Sequence, residues 1–276
     1  MKLNFIKVNP TENMTVFIRN QLPRDCYMEI ANKIMEYGNI YAEQVGFIEK
    51  SQSGESVRLH MMGGEFCANA TRSLAAVLAY EEHTTVMKKD KKIIIPLEVS
   101  GIEEIIQCYI EKTDDPTEFI SSMDIPLQKE IRELNICIDG EYYHMQLVKF
   151  SGIFHIVIKN IEILDKTKFF LKVKEKLKDL EYDALGMIFY DEKNTYIEPL
   201  IYVKETGSLI FERGCGSGTA ALGVALSYEY KKQVQLAVNQ PGGALEIITT
   251  WKNNDVEKIH LRGRVKIVAE GIVYIS

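Results

Sequence analysis

Two stretches of the chain repeat each other closely enough to constrain the fold. "CANATRSLAAVLAY" occupies residues 67–80, and "CGSGTAALGVALSY" occupies residues 215–228. Aligned without a gap, the two stretches match in kind at their small positions and share five identical residues. The identical pairs are Cys67/Cys215, Thr71/Thr219, Leu74/Leu222, Leu78/Leu226 and Tyr80/Tyr228. This repeat predicts a chain built from two related halves, each containing one copy as a helix.

Strand-like segments surround each copy, and one further helix is predicted in each half. "RDCYMEIANKIMEYG" (24–38) and "DKTKFFLKVKEKLKDL" (165–180) carry apolar residues at three- and four-residue steps, which favours helices. "QPGG" (240–243) predicts the turn of a hairpin. The polar, proline-containing residues 112–130 are the predicted boundary between the halves. We therefore predict an α+β fold with internal duplication, in which strands surround one long central helix in each half.

Length and charge limit the class of protein. A chain of 276 residues can form one large domain or two of ordinary size. Its net charge of −6 argues against nucleic acid and anionic membranes as partners. No apolar run reaches the roughly 20 residues that a membrane-spanning helix needs. The N-terminal segment alternates like a strand and lacks the pattern of a signal peptide, so we predict a cytoplasmic protein.

The five cysteines do not have the spacing of a disulfide scaffold or a metal site. They are widely separated, and the sequence contains neither a CxxC pair nor an HExxH motif. We expect no metal, and we interpret Cys26, Cys108 and Cys137 as ordinary packing residues. Cys67 and Cys215 differ because each stands directly before a predicted helix.

A thiol at a helix N-terminus combines two chemical properties. The unpaired N–H groups and the partial positive charge of the helix favour a thiolate, and they also bind anions. We expect the N–H groups of Ala68, Asn69, Gly216 and Ser217 to be the donors. A carboxylate held by these N–H groups would place a thiol on either side of its α-carbon.

Two such thiols suit inversion of a carbon next to a carboxylate. One thiolate would remove the α-proton, and the opposite thiol would return a proton to the other face. The N–H groups would stabilise the charge that develops on the carboxylate. Three alternatives explain less of the repeated cysteine pattern. They are a tight helix–sheet contact with a buried cysteine, a phosphate-binding "GSGT" loop, and a cysteine hydrolase that needs only one thiol.

The motifs resemble those of the cofactor-independent amino-acid racemases and epimerases, the diaminopimelate epimerase and proline racemase group. "ENMT" (12–15), "FCANATRS" (66–73), "FERGCGSGT" (211–219) and "QPGGALEI" (240–247) carry the resemblance. It implies a catalytic pair, Cys67 and Cys215, a substrate-binding Asn13, and no pyridoxal phosphate or metal.

The same resemblance implies an architecture. Two pseudo-symmetric lobes are expected, each a curled, mostly antiparallel sheet around a central helix. We expect residues 1–122, with the final strand 264–276, in one lobe and residues 123–263 in the other, with the active site in the cleft. A homodimer is also expected.

The departures from the family's motifs bear on the substrate. Met61, Ile153 and the Leu185/Gly186 region replace asparagines that hold the second amino-acid end of diaminopimelate, which disfavours that substrate because its charges would lack partners.

"NPTENMT" (9–15) and "EQVGFIE" (43–49) give a narrower resemblance to the histidine racemases of opine metallophore synthesis. This implies interconversion of L- and D-histidine. Glu43 is then a candidate partner for the imidazole or the ammonium group, since a buried carboxylate suits either cation. Glu212 and Arg213 are expected at the pocket wall. The alternatives are diaminopimelate epimerase, a racemase of another amino acid such as proline, and a non-racemase isomerase or binding protein on the same fold.

Overall fold

The chain forms two compact units. The computed structural model describes residues 1–51, 56–85, 87–89, 92–205 and 207–275. The first unit comprises residues 1–124 together with 262–276, and the second comprises residues 125–261. The last strand begins in the second unit and ends in the first. The predicted boundary region, residues 112–130, contains a strand, Glu118–Ile125, between two short loops.

Among the described residues, the first unit contains two α-helices and all or part of each of nine strands. Their bounds are β1 Lys2–Asn9, β2 Thr15–Ile18, α1 Tyr27–Met35, β3 Gln44–Lys50, β4 Val57–Met61, α2 Ala68–Tyr80, β5 Met87–Lys89, β6 Lys92–Val99, β7 Ile106–Lys112, β8 Glu118–Ile125 and β17 Asp255–Tyr274. Eight of these strands pair in the closed order β1–β2–β3–β4–β6–β7–β8–β17–β1. The first unit is therefore a closed barrel, which leaves these eight strands without a free edge.

Helix α2 is the core of the first unit. All residues from Ala68 to Ala79 are buried, and the helix packs against β6 and β7. Apart from Asn69 and Arg72, these buried residues are small or apolar on every face, which is typical of a helix surrounded by protein on all sides. Helix α1 has a single apolar face instead. It packs against the strands through Tyr27, whose ring stacks on Phe47 at a centroid distance of 3.6 Å.

The second unit repeats this plan. Its elements are β9 Glu130–Ile138, β10 Glu141–Lys149, β11 Ile153–Lys159, α3 Lys166–Lys176, β12 Ala184–Asp191, β13 Tyr196–Val203, β14 Ser208–Phe211, α4 Gly216–Tyr230, β15 Gln235–Gln240, β16 Gly243–Lys252 and the start of β17. Helix α4 is buried along most of its length and packs against β10, β11, β12 and β16. Helix α3 covers a second apolar cluster, built around Phe169 and Phe170.

The two units share the order in which helices connect strands. In each unit, one helix connects two neighbouring parallel strands, β2–α1–β3 in the first and β11–α3–β12 in the second. A second helix in each unit contains one copy of the cysteine repeat and lies in the chain between two strands that pair in parallel. These strands are β4 and β6 around α2, and β13 and β15 around α4. The remaining described pairings are antiparallel, as expected where short turns join the strands.

All four helices predicted from the sequence are confirmed, with differences at their ends. Helix α1 begins only at Tyr27, because residues 24–26 form a 3₁₀ turn. Helix α3 ends at Lys176, four residues before the end of the predicted segment. The predicted hairpin is also confirmed, as β15 and β16 pair on either side of Pro241 and Gly242. Within the described ranges, every helix lacks either the length or the hydropathy to cross a bilayer.

Two fully buried serines of the first unit allow a matched test of its core. Ser73 Oγ, in α2, has no hydrogen-bond partner among the described residues, whereas Ser121 Oγ, in β8, donates to the Arg72 carbonyl at 2.7 Å. We expect Ser73→Ala to leave the free energy of unfolding unchanged or raise it by about 1 kcal/mol, since it removes an unsatisfied hydroxyl. Ser121→Ala should lower the same quantity by about 1–3 kcal/mol. Denaturant-induced unfolding measures both, and equal effects would contradict this reading of the core.

Candidate active site

Cys67 is the N-cap of α2. Its backbone is extended (φ −126°, ψ 111°), and its Sγ accepts a hydrogen bond from the Ala70 N–H at 3.4 Å. Thr71 Oγ1 donates back to the Cys67 carbonyl at 2.8 Å. The sulfur thus occupies the position that a serine or threonine oxygen takes in an ordinary capped helix.

Cys215 caps α4 with nearly the same geometry. Its φ and ψ are −118° and 106°, its Sγ accepts from the Gly218 N–H at 3.3 Å, and Thr219 Oγ1 donates to its carbonyl at 2.7 Å. The identical Cys-x-x-x-Thr spacing therefore has the same structural cause in both copies, which is the hydrogen bond from the threonine hydroxyl to the cysteine carbonyl. The N–H groups of Ala68 and Asn69 in one unit, and of Gly216 and Ser217 in the other, belong to the first turns of these helices, directly after the cysteine caps.

In the first unit, a chain of side-chain amides surrounds Cys67. Gln44 Oε1 accepts from Cys67 Sγ at 3.2 Å, and Gln44 Nε2 donates to Asn13 Oδ1 at 2.8 Å. Asn13 Nδ2 donates to Glu43 Oε2 at 2.7 Å, and Asn69 Nδ2 donates to Asn13 Oδ1 at 3.1 Å. The predicted residues Asn13, Glu43, Cys67 and Asn69 are thus linked, and Gln44 is a member that sequence reasoning missed.

The environment of Glu43 differs from the one expected. We expected a buried carboxylate as a partner for a cation, but Glu43 is exposed. Asn13, which it contacts, is buried. Because a short loop segment places Glu43 directly before β3, its carboxylate reaches both the solvent and the buried amide chain.

In the second unit, Cys215 is buried and surrounded by polar groups. Its N–H donates to Gln240 Oε1 at 2.7 Å, and its Sγ lies 3.6 Å from Ser217 Oγ. Gln240 Nε2 in turn donates to Thr219 Oγ1 at 2.9 Å, which ties the hairpin strand β15 to the first turn of α4. Gln240, at the start of the "QPGG" turn, is a second residue of the site that sequence reasoning missed.

The thiol of Cys215 is held in its protonated form. Burial, followed by the charge of Glu212 and a hydrogen bond with it, raises the pKa of Cys215 well above its ordinary value. Ser217 and the Gly218 N–H lower the pKa, but by less. The N–H group at the helix start lowers the pKa of Cys215, as expected, but desolvation and a neighbouring negative charge outweigh it, so the net change in pKa is upward.

His155 is a buried residue of this site that the scattered histidine pattern did not reveal. Its Nε2 lies 2.9 Å from Ser217 Oγ, and its Nδ1 has no hydrogen-bond partner within the described chain. Burial lowers the pKa of His155 to about 3, so the imidazole is neutral. The parallel register pairs His155 with Gly186, where a Cβ would lie 2.3 Å from His155 Nδ1. Only a glycine leaves room for the imidazole at this position.

Glu212 and Arg213 lie immediately before α4. Glu212 contacts the Cys215 thiol through a hydrogen bond, as described above, and is half-buried. Arg213 is exposed, and its guanidinium donates to the Pro241 carbonyl at 3.3 Å. Among the described residues, no three His, Cys, Asp or Glu side chains are grouped so that they could hold a metal ion.

The fold matches that of a solved amino-acid racemase. A probable proline racemase from Agrobacterium radiobacter superposes with a TM-score of 0.72 at 11% identity, covering 99% of this chain and 93% of that one. This likeness assigns the proline racemase-like fold. The class of fold is therefore proline racemase-like, with a cysteine cap at the start of each central helix.

Sequence comparison gives the family. The family model described as "Histidine racemase CntK N-terminal domain" matches residues 2–274. A histidine racemase of Fusobacterium nucleatum is 38% identical over an alignment of 277 positions, which covers 99% of this chain and 97% of the relative. A histidine racemase of Staphylococcus aureus is 30% identical over 279 residues, 99% of this chain and 98% of the relative. The chain belongs to the histidine racemase family.

The position of Glu212 makes a prediction about the reactivity of Cys215. Glu212→Gln removes a negative charge beside the thiol, so the pKa of Cys215 should fall and more thiolate should be present at neutral pH. We expect iodoacetamide to modify Cys215 at least several-fold faster in Glu212→Gln than in the unchanged protein, as followed by peptide mass spectrometry.

The matched control is Glu133→Gln, which neutralises an exposed carboxylate of the same unit. It should leave the rate at Cys215 unchanged. A slower or equal rate in Glu212→Gln would show that Glu212 does not hold the proton on this sulfur.

Proposed function

We propose that this protein interconverts L- and D-histidine without a cofactor, by moving a proton between Cα and two cysteines. The observation that carries the proposal is the duplicated cap, in which Cys67 and Cys215 hold the same backbone geometry and the same hydrogen bonds at the start of two buried helices. Membership of the histidine racemase family supports histidine as the substrate.

In the proposed reaction, one cysteine acts as base while the other acts as acid. The thiolate of the first takes the proton from Cα, and the carbon–hydrogen electron pair moves into the carboxylate. The thiol of the second then gives its proton to the opposite face of Cα. The substrate leaves inverted, and the two sulfurs have exchanged protonation states, so the enzyme is ready for the reverse direction.

The state of Cys215 assigns roles in the first turnover. Because Cys215 holds its proton, we assign it the role of donor. Cys67, whose thiol donates to Gln44 Oε1, would act as the base once it has lost that proton. The N–H groups of Ala68, Asn69, Gly216 and Ser217 would bind the substrate carboxylate and stabilise the charge that collects there. Asn13, Glu212 and Arg213 would complete the binding of the substrate, as the family resemblance implies.

The substrate side chain is assigned through Glu43. A carboxylate that is open to solvent on one side and hydrogen-bonded to Asn13 on the other can accept from an imidazole or an ammonium group. Diaminopimelate is a poorer fit, because Met61 and Leu185 are apolar and fully buried where its second charged end would need partners. A homodimer and a cytoplasmic location are carried over from the family resemblance and the sequence, respectively, and form part of the proposal.

The first test is exchange in deuterium oxide. Purified protein incubated with L-histidine should produce D-histidine that carries deuterium at Cα, as measured by chiral chromatography and mass spectrometry. Proline, diaminopimelate and other single amino acids should give little or no exchange. If another amino acid is racemised and histidine is not, the proposed assignment of histidine as the substrate is wrong. If none exchanges under reducing conditions, the racemase mechanism is wrong.

The same assay tests the cysteine pair. Cys67→Ser and Cys215→Ser should each lower racemisation by about 10²–10⁴-fold, because a serine hydroxyl is a far weaker acid and base at neutral pH. Cys137→Ser, which changes an exposed cysteine outside the site, is the control and should be fully active. Normal racemisation by either single variant would remove that cysteine from the mechanism.

Glu43 makes a separate prediction about the side chain. Glu43→Gln keeps the shape but loses the charge, so kcat/KM for histidine should fall by about 10–100-fold, the value of a hydrogen bond to a charged group. Glu36→Gln, at the exposed end of α1, is the matched control. Histidine racemisation that is equal in Glu43→Gln and wild type would show that Glu43 does not contact the substrate.

A further inference from the structure

We propose that Arg72 is a positioning residue, which fixes the direction of the hydrogen bonds around Cys67 so that the carbonyl of Gln44 faces the sulfur. This inference rests on the proposed function only in so far as Cys67 is the reacting group. Arg72 lies in the fifth position after Cys67 along α2 and is not expected to touch a substrate, because it is completely buried within the first unit.

The burial of Arg72 is costly and calls for a physical reason. Its three described hydrogen bonds go to neutral oxygens: Nε to Asn69 Oδ1 at 3.2 Å, one terminal nitrogen to the Arg264 carbonyl at 2.8 Å, and the other to Thr11 Oγ1 at 3.1 Å. Burial lowers the pKa of Arg72 to about 10, which still leaves it charged at neutral pH. A buried cation held only by neutral groups carries a desolvation penalty that no opposite charge offsets.

The duplicated helix shows that its packing does not require the charge. In α4 the position equivalent to Arg72 is occupied by Ala220, which is also fully buried. Both helices begin with the same cysteine cap and the same threonine bond. The difference therefore lies in the polar surroundings of the two thiols, and Arg72 belongs to the surroundings of Cys67.

The hydrogen bonds give Arg72 a specific task. Because a guanidinium can only donate, Asn69 must turn its Oδ1 toward Arg72 and its Nδ2 toward Asn13. Asn13 must then present its Oδ1 to Asn69, so its Nδ2 points to the Glu43 carboxylate, which can only accept. An obligate donor at one end and an obligate acceptor at the other fix every amide between them.

The same constraint reaches Cys67. Gln44 Nε2 donates to Asn13 Oδ1 and to Thr15 Oγ1, both at 2.8 Å, which leaves Gln44 Oε1 facing the sulfur at 3.2 Å. If Asn13 were free to flip, Gln44 could flip with it and present its NH₂ group to the sulfur instead. Arg72, acting through Asn69, and Glu43, acting on Asn13, thus together keep the acceptor of Gln44 toward the thiol.

The test measures the Gln44 side chain directly. In full-length protein labelled with ¹⁵N-glutamine, hydrogen exchange of the Gln44 side-chain amide should be slow, because both of its hydrogens are bonded. In Arg72→Met, the exchange should become about five-fold faster or more, the effect of losing roughly 1 kcal/mol of hydrogen bonding. Arg72→Lys, which keeps a donor for Asn69, should remain within about two-fold of the unchanged protein.

The same spectra contain an internal control. Gln240, in the second unit, is held by Thr219 and is independent of Arg72, so its exchange should not change. If Gln44 is unaffected in folded Arg72→Met, or if Gln44 and Gln240 accelerate equally, the proposal is wrong. Should Arg72→Met not fold, Asn69→Leu breaks the chain at its next link and must give the same acceleration at Gln44.

Turnover supplies a second readout. Arg72→Met should lower kcat for racemisation by about 10–100-fold through misplacement of the groups at Cys67. In a Gln44→Leu background the further effect of Arg72→Met should be less than about two-fold, since the path to the sulfur is already broken. Additive effects would overturn the proposal. If the wild-type protein itself racemises no amino acid, the proposed function fails, while the exchange measurement still decides the role of Arg72.

Discussion

The hydrogen bond from a helix N–H to a cysteine sulfur is the interaction on which the rest of the structure depends. A serine or threonine oxygen is the better acceptor at an N-cap, and a buried helix start needs its N–H groups satisfied. Both central helices nevertheless begin with a sulfur, at Cys67 and Cys215. In the proposed reaction, the weaker cap supplies a group that can carry a proton to or from the substrate. The threonines at positions 71 and 219 strengthen the same turn from the other side.

Burial determines what such a cap does chemically. A helix N-terminus alone favours the thiolate, but Cys215 is buried beside Glu212, and its pKa is raised. The helix and Ser217 then moderate the effect of burial rather than reverse it. A thiol that keeps its proton until a substrate arrives is suited to act as an acid. His155 is not a cationic proton donor at neutral pH, because its own burial keeps the imidazole neutral.

The sequence was sufficient to predict the parts of the site that lie close together in the chain. The repeat located both central helices and both cysteines, since a capped helix is defined by consecutive residues. Gln44, Arg72, His155 and Gln240 could not be found in this way. His155 reaches the second cap only because β11 and β12 pair in parallel with Gly186 beside the ring. Gln44 reaches the first only because β3 lies next to the strand after Asn13, and no local pattern encodes either register.

The two caps are alike, while the groups around them differ, and the proposed inversion of a carbon accounts for both facts. The reaction exchanges one hydrogen between opposite faces, so the proton-carrying groups should match. The carboxylate, the ammonium group and the side chain keep their chemical identity in both enantiomers, and one asymmetric set of partners can bind them. Duplication accounts for the shared Cys-x-x-x-Thr caps. Divergence then accounts for an amide chain between Arg72 and Glu43 in one unit and for Ser217 with a neutral His155 in the other. Selection for a racemase would therefore hold the two caps constant and leave their surroundings free to fit one substrate.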